Sequence, residues 1–250
     1  DPGDPRIRQI KGMTHSMPGD LAIVDLNGDK VADRMYGADT RSRIWRFEIN
    51  DNASSAEDLV TPETKPFATL QLKSADDDED AVSLGEQRRI YNRIVPTFAI
   101  SPDGEPFLAL TVGTGHRARP LAPILDEPET GTPLPQKDIV EDRFYTLRDT
   151  PSKSPTTNTD DASDKPEAVV TQTIANEDLE DLTELVTTDD DREEAEGVQR
   201  GWYIRLEEIK GKKVGEKVLA DAVVFQNIVL FTTFRPPTSP LTENCQPNQG

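Results

Sequence analysis

The sequence predicts an all-β protein, and three observations carry the prediction. Apolar residues fall in short runs rather than long amphipathic ones, 20 prolines and 15 glycines separate those runs, and the clearest run alternates with period two. A chain of 250 residues is long enough to bury a real core, as one large β-domain or two small ones.

The densest pattern runs from Asp20 to Ile49. Leu21–Val24 reads as a strand, the acidic stretch DLNGDKVAD (25–33) as a loop, and RMYGADTRSRIWRFEI (34–49) as strand, turn and strand. In the last of these, Ile44, Arg46 and Glu48 alternate with Trp45, Phe47 and Ile49. Period two places the two aromatics and Ile49 on one face, which is expected to be buried.

Further strands are expected at Phe67–Leu72, Arg93–Ile100, Pro106–Gly113, Phe144–Arg148, Trp202–Leu206 and within Lys217–Phe234. SPDG (101–104) has Pro and Gly where a tight turn needs them, so it joins two strands as a hairpin. Gln226–Asn227 separates two apolar runs and signals a second hairpin. Residues 150–200 are rich in Ser, Thr, Pro and acids and are expected to be mostly loop, because they bury too little apolar surface to offset ordering. Within that insertion, ANEDLEDLTELV (175–186) predicts one helix of two or three turns, with Asn176 as N-cap and Leu179, Leu182 and Val186 on one face. The total is about ten strands, some two and a half propeller blades at roughly 40–45 residues each. Such a number does not close a ring, so the chain is either not a propeller or part of one.

Composition narrows the function. Hydrophobic residues make up 34%, charged residues 30%, and the formal net charge is −19. Nucleic acid is not an expected partner, because phosphate binding relies on clustered Lys and Arg. The charge suits an exposed protein that attracts cations. No run reaches the roughly 20 apolar residues that span a bilayer, and DPGDPRIRQIKG lacks the apolar centre of a signal peptide; if the protein is secreted, its signal is expected upstream. Cys245 is the one cysteine and either pairs outside the chain or stays a free thiol.

One constellation carries chemistry. In DLNGDKVAD, side-chain oxygens fall at positions 1, 3, 5 and 9 through Asp25, Asn27, Asp29 and Asp33, and Val31 at position 7 can offer its carbonyl. Calcium takes six to eight hard oxygens, and this spacing wraps a short loop around it; magnesium, which demands rigid octahedral geometry, suits it less. The loop departs from the EF-hand: Lys30 holds the usual glycine position, and Tyr36 stands where a bidentate Glu would close the site. The competing reading is an Asx-rich turn without metal.

Other candidates are weaker. His15 and His116 lack partners at ligand or catalytic spacing. GTGHR (113–117), near Arg117 and Arg119, could cradle an anion but reads more readily as a tight turn. The acidic runs 76–80 and 187–197 read as solvated, and Trp45 and Trp202 as core. With no nucleophile set beside a base, an enzyme is not expected.

Five segments together resemble the C-terminal domain of the PilC/PilY family of type IV pilus tip adhesins and biogenesis factors: residues 15–49, 108–121, 142–149, 201–206 and 215–236. The resemblance implies that residues 1–250 are part of a modified β-propeller carrying a calcium loop, without catalytic activity. It implies Asp25, Asn27, Asp29, Asp33 and the Val31 carbonyl as calcium ligands. It further implies an extracellular place at the pilus tip or bacterial outer surface, minor pilins and host or abiotic surface ligands as partners, and a role in pilus biogenesis, twitching motility and adhesion. The runner-up is a quinoprotein-like propeller enzyme, because YGADTRSRIWRF (36–47) is similar to the Asp-turn-Trp repeat of those folds; there the repeat is a packing device.

Overall fold

The computed structural model describes residues 7, 10, 12–55, 58–62, 65–71, 87–101, 104–121, 125–127, 132–133, 138–150, 173–184, 200–208, 212–226 and 228–236. In chain order the strands are β1 (Ala22–Val24), β2 (Arg34–Ala38), β3 (Arg43–Ile49), β4 (Val60–Pro62), β5 (Ala68–Thr69), β6 (Val95–Ile100), β7 (Pro106–Gly113), β8 (Leu125–Glu127), β9 (Thr132–Pro133), β10 (Arg143–Asp149), β11 (Ile174–Ala175), β12 (Glu180–Asp181), β13 (Gly201–Arg205), β14 (Glu207–Glu208), β15 (Lys212–Lys213), β16 (Lys217–Val218), β17 (Val223–Phe225), β18 (Ile228–Leu230) and β19 (Thr233–Phe234). The fold is all-β, as the sequence predicts.

Two antiparallel meanders face each other. One is β1-β2-β3-β5 with β4 beside β3, and the other is β6-β7-β10-β13. Their inner faces interdigitate: Ala22, Val24, Tyr36, Ala38 and Ile44 meet Leu108, Leu110, Val112, Tyr145 and Leu147 in one buried cluster. Both predicted hairpins form. β6 and β7 pair through Ile100↔Pro106, with the Gly104 amide donating to the Ser101 carbonyl at 2.9 Å, and β17 pairs with β18 around Gln226.

The face of β3 that turns inward differs from the expected one. Ile44 and Arg46 point to the core with 0% and 3% exposure, while Phe47 and Ile49 on the opposite face are half-buried. Trp45 is buried as well, but its Nε1 donates to Asp39 rather than facing the second sheet. An arginine can face inward because a carboxylate on the opposite sheet meets it. Asp149, at the end of β10 and 1% exposed, accepts from Arg34 Nη1 and Arg46 Nη1, each at 2.8 Å, and from the Tyr36 hydroxyl. Glu48 completes the cluster, 2.8 Å from Arg34 and 3.2 Å from Arg46. Two cations and two anions thus balance in the gap between the sheets. Burial works against a charged Arg34, but Asp149, Tyr36 and Glu48 outweigh it and raise its pKa. Burial and then the Asp149 charge raise Tyr36, so its hydroxyl keeps the proton that it donates.

Within 175–184, the described part of the expected helix 175–186, there is a single 3-10 turn, Asn176–Asp178. Asn176 does not cap it. Its side-chain oxygen, buried, accepts instead from Arg143 Nη1 at 3.1 Å and from the Tyr145 hydroxyl at 3.0 Å. Flanking residues prefer sheet partners to helical ones: β11 runs parallel to β5, β12 runs parallel to β13, and the Leu182 amide donates to the Tyr203 carbonyl at 2.9 Å. Leu179 between them enters the core. Residues 173–184 therefore add a strand to each sheet, although the surrounding composition reads as loop. Residues 151–172 and 185–199 of the insertion, with Val186 and the acidic run 187–197 among them, and the acidic run 76–80, Leu72, Asn227 and Cys245 lie outside the described residues.

The C-terminal strands pack on the outer face of the second sheet. Phe144 stacks on Phe231 with ring centroids 4.0 Å apart, joined by Leu206, Val218 and Ala222. Gly113 is required here, because an added Cβ would lie 2.3 Å from the Val218 Cβ. Among the described residues, no helix is long and apolar enough to cross a membrane.

Replacing Asp149 with Ala strands two buried guanidinium groups, and urea denaturation is expected to show a loss of about 3–5 kcal/mol. Glu48→Ala, in the same cluster but open to solvent screening, is expected to cost only about 1 kcal/mol.

Candidate metal centre

Residues 25–33 connect β1 to β2 and stand outside the sheet edge. Two main-chain bonds close the base: the Asp33 amide donates to the Val24 carbonyl at 2.9 Å, and the Ile49 amide to the Asp33 carbonyl at 2.7 Å. Val24 and Arg34, which flank the loop, are both buried and paired across the two strands. The loop is thus anchored at both ends by buried residues.

Inside the loop the oxygen-bearing side chains fold back on nearby amides, as Asp and Asn do in turns. Asp25 Oδ1 accepts from the amides of Gly28 at 2.6 Å and Asn27 at 3.2 Å, and Oδ2 accepts from Lys30 at 2.8 Å. Asn27 Oδ1 accepts from the Asp29 amide at 2.8 Å, and Asp29 Oδ1 from the Val31 amide at 2.7 Å. Asn27 Nδ2 also donates to Asp29 Oδ2 at 3.0 Å, and Asp33 Oδ2 accepts from the Leu26 amide at 2.5 Å. The Lys30 amide leads the bonds that hold the Asp25 carboxyl below its ordinary range, against a smaller opposing desolvation. The loop carboxylates are therefore held in place by the loop's own amides.

The donor set is chemically that of a hard divalent cation: three carboxylates, an amide oxygen and a carbonyl on an exposed loop. A carboxylate oxygen that accepts one amide keeps a further lone pair. The side chains are held by their own backbone rather than drawn around a common centre. Among the described residues, no group of three or more His, Cys, Asp or Glu side chains is gathered in that way. Backbone geometry adds one observation. Lys30, at the position that calcium loops give to glycine, has φ of 74°, and Gly28 has φ of 82°. A lysine in this left-handed region is strained, so the loop keeps the calcium-loop turn at a cost to its sequence.

The other candidates resolve as packing. In GTGHR, the amides of Thr114 and Gly115 donate to the carbonyls of Arg143 and Arg89 at 2.9 and 2.8 Å, so they do not converge on an anion. His116 stacks on Tyr91, and His15 Nδ1 lies 3.0 Å from Thr14 Oγ1 and 3.1 Å from Arg43 Nη2. Trp202 packs against Phe144. The Asp39–Trp45 contact, Nε1 to Oδ2 at 3.1 Å, is internal to the first sheet and spans its 39–42 turn. Sequence reasoning also missed Asp142, buried beside Lys217, which burial pushes up to about 6 against the pull of Lys217 and the Thr114 hydroxyl.

No protein-family model and no curated protein matches the chain. Among solved structures, the C-terminal domain of PilY1 from Pseudomonas aeruginosa matches with a TM-score of 0.53 at 18% identity, over 92% of this chain and 47% of that one. The two share a fold. The PilY1 domain is of β-propeller type, and this chain spans about half its length. The facing four-stranded meanders are consistent with blades of such a fold. At this identity the likeness is one of architecture.

Lys30→Gly is expected to raise stability in the presence of a chelator by up to about 1 kcal/mol, because glycine adopts positive φ without strain. Thermal melts of the two proteins check this.

Proposed function

We propose that this chain is a calcium-binding, non-catalytic module of a surface-exposed, type IV pilus-associated protein that supports pilus biogenesis, twitching motility and adhesion. The observation that carries the reading is the nine-residue oxygen loop, with Lys30 in the glycine conformation, on a fold shared with the PilY1 C-terminal domain. Asp25, Asn27, Asp29, Asp33 and the Val31 carbonyl would hold the ion. Bound calcium supplies charge neutralisation to carboxylates that otherwise repel one another.

The chain's own residues do the rest. Asp33 belongs to the loop through its side chain and to the β1–β2 pair through its main chain. Arg34, next in sequence, enters the buried cluster around Asp149. The ordered loop would thereby be held in a fixed place at the edge of the sheet, where minor pilins or surface ligands would meet it.

Calorimetric titration of calcium into chelator-treated protein tests the reading. One saturable site is expected, with Kd between about 0.1 µM and 1 mM, the span of sensor and extracellular loops, and Asp29→Ala is expected to abolish it. Calcium at a hundred times Kd should add about 2.7 kcal/mol of stability. Absence of both heat and thermal shift would reduce the loop to an acidic turn.

A further inference from the structure

The two margins of the second sheet are built differently. On one side the last strand is β12, Glu180–Asp181, two exposed acids that discourage a further strand from pairing. On the other side is β6, Val95–Ile100, which reads VPTFAI and holds no charged residue. Among the described residues, β7 is its one strand partner. Phe98 is 56% exposed and Ile100 75%, the highest value among the large apolar side chains described.

The ladder tells which main-chain groups of β6 face outward, because bonded and non-bonded residue pairs alternate along antiparallel strands. The Ser101 amide donates to the Glu105 carbonyl at 2.9 Å, one step beyond Ile100↔Pro106, which makes Ala99↔Phe107 and Thr97↔Ala109 bonded pairs. The other side of β7 agrees: the Thr114 amide donates to the Arg143 carbonyl at 2.9 Å, so the even-numbered residues of β7 bond to β10 and the odd-numbered ones to β6. The N–H and C=O groups of Phe98 and Ile100, with the carbonyl of Pro96, therefore point away from the sheet. Pro96 falls where its missing N–H breaks no ladder bond, the place that an edge strand gives to proline. Phe98 lies opposite Leu108, which is buried. The apolar inner face of the sheet thus continues past β7 and stops, among the described residues, at an open row of main-chain donors and acceptors.

We propose that β6 receives an added antiparallel strand from another protein, an extended segment with two apolar side chains two residues apart and Lys or Arg at its ends. Main-chain bonds to Phe98 and Ile100 supply the affinity, and the alternate apolar side chains packed beside them supply the specificity. The basic ends follow from charge complementarity: the chain carries −19, and Glu105, exposed, stands just beyond the Ile100↔Pro106 pair. A second copy of this chain is the poorer occupant. Its own β6 could set Phe98 against Ile100 about a two-fold axis, but that contact joins one short strand to another between two chains of −19 each. The edge is separate from residues 25–33 and does not rest on calcium binding.

The full chain, without calcium and at fixed ionic strength, serves for the test. Amide exchange followed by NMR is expected to be fast at Phe98 and Ile100 and slow at Thr97 and Ala99. The probe is a fluorescent peptide, Lys-Lys-Thr-Val-Thr-Val-Thr-Lys-Lys, titrated by anisotropy. Saturable binding is expected, with exchange at Phe98 and Ile100 slowed about tenfold or more at saturation. Ile100→Thr is expected to weaken binding about tenfold at unchanged melting temperature, and so is N-methylation of the two valine amides of the peptide, which face β6 in this register. Linear uptake, equal binding of the methylated peptide, or unchanged exchange at Phe98 and Ile100 would overturn the proposal. So would protection of those two amides in the free chain: at all concentrations it would mean that the chain's own residues cover the edge, and growing with concentration it would mean that a second copy does.

Discussion

Two guanidinium groups and a phenol converge on the Asp149 carboxylate in the gap between the two sheets. Such a cluster is costly to bury, and hydrophobic residues of similar volume could stabilise the gap as well or better. What it adds is register. A one-residue slip of β2 or β3 would turn Arg34, Tyr36 and Arg46 outward and leave Asp149 without donors. The cluster therefore fixes which face of the first meander is inner, and how far along β10 the second meander sits.

That constraint extends to the exposed loop. Arg34 is held by Asp149 and Glu48, and Asp33, one residue earlier, accepts from the Leu26 amide. The last oxygen of the loop is thus one peptide unit from the buried charge cluster around Asp149. At the other end, Val24 is buried and bonded to the Asp33 amide. A nine-residue loop held this firmly at its base loses less entropy on ordering than a free loop of equal length, which favours ion binding. Lys30 works in the other direction, through both its strain and its charge.

The loop and the hairpins were legible because their signals are local. Asp, Asn and Gly at short spacing announce turns, and SPDG and Gln226–Asn227 end runs that pair with their sequence neighbours. The inner face of β3 was not legible. Aromatic residues rank above arginine as core candidates, and the residue that reverses the ranking lies 103 positions from Arg46 and 115 from Arg34. The same limit applies to 175–186, where helical spacing of Leu179 and Leu182 is real, yet Arg143 and Tyr145 claim the Asn176 side chain and β13 claims the backbone.

The central claim is that the side chains of 25–33 exchange their own amides for a metal ion without altering the strands beneath. Anomalous diffraction from crystals grown with calcium addresses it most directly. The expected result is one strong anomalous peak enclosed by oxygens of Asp25, Asn27, Asp29, Asp33 and Val31, with the Asp149 cluster unchanged. A loop with no peak, its carboxylates still folded onto the amides of Gly28, Lys30 and Leu26 at saturating calcium, would contradict the account.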